Sequence, residues 1–438
     1  MVTSQKHIDH DLGGSKKKTS WYWILFMFFI LYIFSQTSPF NFNYPTIMAE
    51  GENFEGGTAG MIERSAAGNM KRRVGLICLA SALAFSLARS RYRYQMNGPL
   101  AWMIVFYLAW ILSSLMWSVD TMYTLRRLIV AFMMWGAAIS LAAQLSWNQI
   151  VRLAVFVAGV TLFLGVGNEM KLGTFAPTNQ GWRLGGVFHA VTMAWNISLF
   201  VLSTMYLVTT EKRPVIRNLL WGLVIIGMFF LFLTRTRTAM IACLLSAGFY
   251  WTFIVPSLKR VLFVLGIIIF VTAAYIFVGE QLGRVGGSAV TMGRGEAANK
   301  QVGNLTGRVP LWNYSFKFAA ERPLHGYGYV TFLNKKNIDQ IFKEIGWAPV
   351  SLHSAYVTEL MGTGFVGLSA FVAVLVLSLI RAWRLAKQNP HMYYYVFAVI
   401  VWAVIINMLE AGLGFGMTFM TFYVMLLEAK LAFSAPEE

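Results

Sequence analysis

Three stretches of this 438-residue chain have residue types and spacings suited to chemistry. Thr234-Arg235-Thr236-Arg237-Thr238 sets two guanidiniums among three hydroxyls between two apolar runs. The planar fork of arginine suits bidentate capture of phosphate oxygens. A charge at the edge of an apolar span is costly unless solvated or paired, so anion binding competes with the plainer reading of arginines that snorkel to lipid headgroups. Arg308 opens an amphipathic stretch, where free backbone N–H groups and the helix dipole would add to its charge; its plainer reading is a solvated surface arginine. His353 stands at the head of another apolar run. An imidazole there is more often an interfacial hydrogen-bonding group than a catalyst, but it can accept a proton near neutral pH, as activation of a hydroxyl nucleophile requires. Tyr356 falls on a neighbouring helical face, whereas Glu359, about 600° further round, faces away from His353.

The elements that must position these residues are membrane spans. The chain is 57% hydrophobic and 13% charged, with a positive mean hydropathy, beyond the apolar content of a soluble domain. The expected fold class is an all-α integral membrane protein of about 12 spans, because roughly 20 apolar residues cross the hydrocarbon core. The expected spans are 21–36, 74–90, 99–118, 127–145, 150–168, 190–209, 218–234, 238–256, 261–279, 354–380, 392–409 and 413–431. Residues 1–20 form a basic tail and 432–438 a short one. Lys16-Lys17-Lys18 before the first, short run resembles a signal peptide, but no small-x-small cleavage site follows, so the run is kept as a span.

The bias of Lys and Arg toward the cytoplasm puts both termini inside, with the Lys71-Arg72-Arg73 cluster dissenting. Residues 37–73, 169–189 and the polar interlude 280–352 then lie outside. Within the interlude, Thr306 is the expected N-cap of a surface helix whose apolar stripe is Val309, Leu311, Trp312, Phe316 and Ala319, ended by Pro323. A second short helix is expected over 337–346. Charge clusters are expected only at helix ends.

Other function classes are disfavoured. The formal charge of +17 is scattered over short loops instead of forming a patch, which points to anionic lipid or a phosphate-bearing lipid substrate and not to nucleic acid. Cys78 and Cys243 lie inside apolar runs and read as packing residues, offering neither a disulfide framework nor a zinc site. Nucleotide-binding loops, zinc-protease motifs, nucleophile elbows and Asp-x-Asp pairs are missing, so no metal or cofactor is expected. A lipid or polysaccharide transporter would call for ionisable groups near mid-membrane and a structural repeat, and no repeat is apparent.

The constellation Thr306-Gly307-Arg308 with Leu311-Trp312, Pro323-Leu324-His325-Gly326-Tyr327-Gly328, and His353-Ser354-Ala355-Tyr356 followed by Gly364-Phe365-Val366-Gly367-Leu368 resembles the O-antigen ligase and Wzy-type polysaccharide polymerase family. Leu112–Asp120 with Leu125-Arg126-Arg127, Trp182-Arg183 with Gly186-Val187-Phe188, and Thr236-Arg237-Thr238-Ala239 extend the likeness upstream. The chain departs from it at His189-Ala190-Val191, where the family usually continues into a His-Lys-Asn or Pro-Asn pair. The resemblance implies an inverting, metal-independent glycosyltransferase of the GT-C type, working at the periplasmic face of the bacterial inner membrane. Its donor would be a glycan on undecaprenyl diphosphate and its acceptor a second glycan, with a chain-length regulator and a flippase as further partners. In that setting Arg237, Arg308, Arg235 and Arg183 would hold the diphosphate, His353 would activate the acceptor, Tyr356 would orient it, and Trp312 and His325 would line the substrate site. A polymerase is expected ahead of a ligase that moves finished glycan to lipid A-core, on the long outer loops.

Overall fold

The computed structural model describes residues 21–38, 40–43, 70–89, 95–179, 182–255, 308–346, 349, 351–413 and 416–434. The expected ninth span at 261–279, Thr306-Gly307, the basic tail 1–20 and most of 37–73 lie outside the described residues. Among those described the secondary structure is all helical. In chain order the helices are α1 Trp21–Thr37, α2 Met70–Arg89, α3 Gly98–Ser113, α4 Thr121–Gln144, α5 Trp147–Leu172, α6 Ala190–Thr210, α7 Pro214–Leu233 and α8 Arg237–Ile254. They continue with α9 Arg308–Glu321, α10 Lys335–Ile345, α11 Ala355–Leu385, α12 Pro390–Leu409 and α13 Phe419–Phe433.

Eight of them, α3 to α8, α11 and α12, are long and apolar enough to cross a membrane, counting α3 with the 3-10 turn that follows it. α1 is a shorter apolar helix packed on α2 and α5, and α13 is buried along its whole length. Local signals set the boundaries. Asp120 caps α4 by accepting from Tyr123 N at 2.9 Å, and Ser146 and Gln149 form a capping box on α5. Pro214 and Pro390 sit in the first turns of α7 and α12, where a missing N–H costs nothing. α4 therefore begins six residues before the expected span, because Arg126 and Arg127 fall inside its first turns. α13 begins six residues after expectation, since residues 413 and 416–418 are not helical.

The short links from α3 to α4 and from α7 to α8, with the bonds Asn41 N to Val187 O, Leu184 N to Leu233 O, Ala355 N to Glu410 O and Thr37 Oγ1 to Met417 O, place the starts of α4, α6, α8, α11 and α13 and the ends of α1, α3, α5, α7 and α12 at one end of the bundle. This end is called the site face below. α12 is the hub, packed against α8, α11 and α6. The expectation that charges lie only at helix ends fails inside the bundle. Glu359, one turn into α11, accepts from Tyr107 Oη at 2.9 Å, and Glu428 of α13 is 4% exposed. Hydrogen bonds from the hydroxyls of Tyr107 and Thr363 offset part of the penalty of burying the Glu359 carboxyl.

The most consequential local feature is a break in α11. Gly364 has φ 69° and ψ −169°, far from helical values, and the loop 323–328 fills the gap. Tyr327 N donates to Met361 O at 2.9 Å, Gly328 N to Gly362 O at 2.9 Å, and Phe365 N to Pro323 O at 2.8 Å. The carbonyls and amide freed by the break thus find partners in the loop. The corner after α3 grips the loop's other side. Val119 N donates to Tyr327 O at 3.0 Å, Trp117 Nε1 to His325 O at 2.8 Å, and Tyr329 N to Ser114 Oγ at 3.1 Å.

Two glycines make the clasp possible. A Cβ on Gly326 (φ 66°) would stand 2.7 Å from Gly362 C and O, and one on Gly364 would overlap Leu324 and His325 backbone. Gly326→Ala or Gly364→Ala should lower stability in detergent by roughly 2 kcal/mol or more, from backbone strain plus overlap. Gly222→Ala in α7, where a Cβ meets nothing within 4 Å, should leave stability unchanged or raise it slightly. Thermal unfolding of the three variants checks the contrast.

Candidate active site

The clasp hangs α9 and the segment before α11 over the site face. α9 buries Leu311, Ser315 and Ala319, while Phe316, expected in the apolar stripe, is 42% exposed. Its buried row runs at intervals of four, and Trp312 lies beside it for a different reason: Trp312 Nε1 donates to Leu352 O at 2.7 Å. That bond ties α9 to the residue preceding His353. α10, capped by Asn334 and ended by Gly346 in the left-handed conformation, starts two residues before expectation.

His353 has φ 50°, one of only three non-glycine residues with positive φ among the described residues; Arg235, also φ 50°, is another. A β-carbon in this region costs about 1–3 kcal/mol and persists where surroundings enforce it, which is common at functional sites. For His353 the enforcement comes from Leu352 O on one side and the Ser354 cap of α11, whose Oγ accepts from Val357 N, on the other. Burial, then the charge of Arg308, then His189 push the His353 imidazole down to about 4. At neutral pH it is an uncharged base.

Arg308 opens α9, and its Nη2 is 2.8 Å from Glu410 Oε1. Both side chains are largely buried. Glu410 follows the last residue of α12, and its own carbonyl accepts from Ala355 N at 3.1 Å. Asn407 Oδ1, accepting from Gly412 N and Leu413 N, fixes the turn that carries it. His189 caps α6, its Nδ1 accepting from Val191 N at 3.3 Å. Neither Glu410 nor a role for His189 was foreseen. Glu410 bears no sequence spacing to Arg308, and only the α11–α12 hairpin joins them.

The upstream arginines meet a different fate. Arg183 donates from Nε to Thr234 O at 3.0 Å and from Nη2 to Thr236 Oγ1 at 2.9 Å. Arg235 is 8% exposed and donates to Pro177 O and Asn179 O at 3.1 and 3.2 Å. Together they lace the 174–189 loop to the α7–α8 turn, and burial lowers the Arg235 pKa. Glu169 completes the lacing by accepting from Gly185 N and Gly186 N at 2.9 and 2.7 Å. Arg237 is the first residue of α8. Tyr356 turns its hydroxyl to Val404 O at 3.1 Å, into the α11–α12 interface. His325 packs its ring edge to face on Trp117, with centroids 5.5 Å apart.

The structure therefore brings His353, Arg308, His189 and Glu410 together. It puts Arg237 on the same face, on a helix packed against α12, while Arg183, Arg235, Trp312 and Tyr356 engage backbone carbonyls. α6, α8 and α11 all direct their N-termini at this face, and their dipoles favour an anion there.

The O-antigen ligase family model matches residues 222–372. The match gives this segment the O-antigen ligase domain and supports a likeness to the O-antigen ligase and Wzy-type family. No curated protein matches the chain. The domain contains Arg237, Arg308, Trp312, His325, His353 and Tyr356, and it excludes Arg183, His189 and Glu410. That likeness points to polysaccharide assembly from a lipid-linked glycan and an acceptor, and the eight long apolar helices fit a multi-pass membrane protein.

Arg183→Lys would keep the charge but lose the two-point hold on Thr234 and Thr236. It should reduce glycan product at least tenfold, the scale of a misplaced positioning group. Trp312→Phe would keep the ring and free Leu352 O, costing about 1 kcal/mol of stability and lowering turnover. Product assays paired with thermal unfolding of each variant test both effects.

Proposed function

We propose that the chain is a polymerase that joins undecaprenyl-diphosphate-linked oligosaccharide repeats into exopolysaccharide or O-antigen at the periplasmic face of the inner membrane. The supporting observation is the meeting of an uncharged, conformationally constrained His353 with the guanidinium of Arg308 at one face of the bundle. In this reading the full chain has about twelve spans, both termini are cytoplasmic, and α9 with the loop 324–352 covers the periplasmic site.

The reaction is an inverting displacement that needs no metal. The acceptor hydroxyl attacks C1 of the donor sugar, forming the new C–O bond as the bond from C1 to the diphosphate oxygen breaks. The hydroxyl proton passes to His353, and the electron pair of the broken bond stays on the diphosphate. Arg308 and Arg237 hold that diphosphate and stabilise the charge it gains, with the N-termini of α6, α8 and α11 adding to the field. Arg183 and Arg235 act by fixing the turn that presents Arg237. Tyr356, read from sequence as orienting the acceptor, contributes through its bond to α12, and Trp312 sets the segment that carries His353. His325 stays a substrate-side group beside Trp117. A chain-length regulator and a flippase complete the pathway as partners.

The matching family spans polymerases and ligases, which supports a second reading, a ligase that transfers finished glycan from undecaprenyl diphosphate to lipid A-core or another acceptor. The lipid-linked intermediates of a deletion strain separate the two. Single repeat units accumulate when a polymerase is lost, and long lipid-linked chains when a ligase is lost.

Arg308→Ala and His353→Ala should each abolish product while protein still accumulates in the membrane; losing one preorganised donor costs about 3 kcal/mol of barrier. Normal product from either variant contradicts the assignment. The pH dependence has a defined sign. His353 loses its role only when protonated, so kcat/KM, which reports the free enzyme, should hold from neutral pH down and fall as pH approaches about 4. A histidine of ordinary pKa would already cost about tenfold at pH 5.5.

A further inference from the structure

The chemistry just described leaves a release problem. It rests on the diphosphate-binding reading above, in which the leaving diphosphate departs with one more negative charge than the donor carried. The same cations that stabilise the departing group then hold the product more firmly than the substrate. A site made only of arginines and helix N-termini would be slow to clear.

Glu410 is the counter-charge built into this site. Its carboxylate is 2.8 Å from Arg308 Nη2, with both side chains largely withdrawn from solvent, so screening is weak. The carboxylate also starts from a fixed point. Its backbone is pinned to Ala355 N, and the turn behind it is pinned by Asn407. It cannot drift away when an anion arrives. A guanidinium has five N–H groups, and the bond to Glu410 uses one of them, so Arg308 can still meet a phosphate oxygen. Any diphosphate that reaches Arg308 therefore sits close to a second, immobile negative charge, which opposes it, and opposes the more highly charged product most.

We propose that Glu410 is a positioning residue that competes with the diphosphate for Arg308, holding the guanidinium in place before the donor binds and reclaiming it to drive release of the lipid diphosphate product. The residue lies outside the matched domain, and its effect on substrate is exerted through Arg308. A purely structural carboxylate predicts the opposite sign, since its removal would disorder Arg308 and weaken anion binding.

The test titrates inorganic pyrophosphate, in metal-free buffer, into the purified full-length protein in detergent. Glu410→Gln keeps the shape and a hydrogen-bonding oxygen but removes the charge, and should bind pyrophosphate about tenfold or more tightly than wild type, the scale of one close charge pair. With saturating donor its kcat and KM should fall together. Glu410→Asp, which keeps the charge, should bind within about threefold of wild type. Equal or weaker binding by Glu410→Gln overturns the proposal, as does Glu410→Asp binding as tightly as Glu410→Gln. Failure of the wild type and both variants to bind pyrophosphate would overturn the diphosphate site itself, and the role of Glu410 with it. Binding by the wild type with no gain in Glu410→Gln would leave the site standing and remove only the role of Glu410.

Discussion

The backbone clasp between the 323–328 loop and the break in α11 is the interaction on which the site depends. A helix crossing an apolar medium cannot leave amide and carbonyl groups unpaired, so a break at Gly364 is tolerable only where another segment supplies partners. The loop supplies them to Met361, Gly362 and Phe365. α9 ends at Glu321, immediately before this loop, so the clasp also sets where α9 lies. Trp312 then joins α9 to Leu352, which leaves His353 little freedom. Arg308 and His353, at opposite ends of this assembly, meet because both are referred to the same helix.

The second constraint is electrostatic. The site face gathers Arg308, Arg237 and the imidazoles of His353 and His189 at helix N-termini, against the carboxylate of Glu410. Arg183 and Arg235 are also cationic but are committed to carbonyls at Thr234, Pro177 and Asn179. In the proposed reading those bonds make Arg183 and Arg235 part of the wall of the site. Neutral His353 follows first from burial and then from the charges of Arg308 and His189.

Much of this was legible in the sequence, and what was not has physical causes. Hydropathy located α3 to α8, α11 and α12, and proline and capping residues moved their ends by a few residues, as with Asp120 before α4. Arg308 and His353 were legible by residue type because each stands at the edge of an apolar run. Arg183, Arg235, Trp312 and Tyr356 were read as substrate contacts, yet their polar atoms reach carbonyls. Sequence does not reveal which helix-end or loop carbonyls lack partners, and long polar side chains are drawn to them. Glu410 was overlooked because an isolated carboxylate between apolar runs carries no spacing signal. Glu359 was read only as facing away from His353, and the burial of Glu359 and Glu428 was not legible because it depends on helices distant in sequence.

In the proposed mechanism one histidine and a diphosphate-binding arginine perform an inverting glycosyl transfer at this face. The most direct measurement follows purified protein acting on a synthetic undecaprenyl-diphosphate oligosaccharide in the presence of a chelator, and determines both the linkage formed and the lipid released. The account predicts one undecaprenyl diphosphate released per new glycosidic bond, inversion at the transferred anomeric carbon, and full activity with the chelator present. Retention of configuration, or activity that requires an added divalent cation, would contradict it.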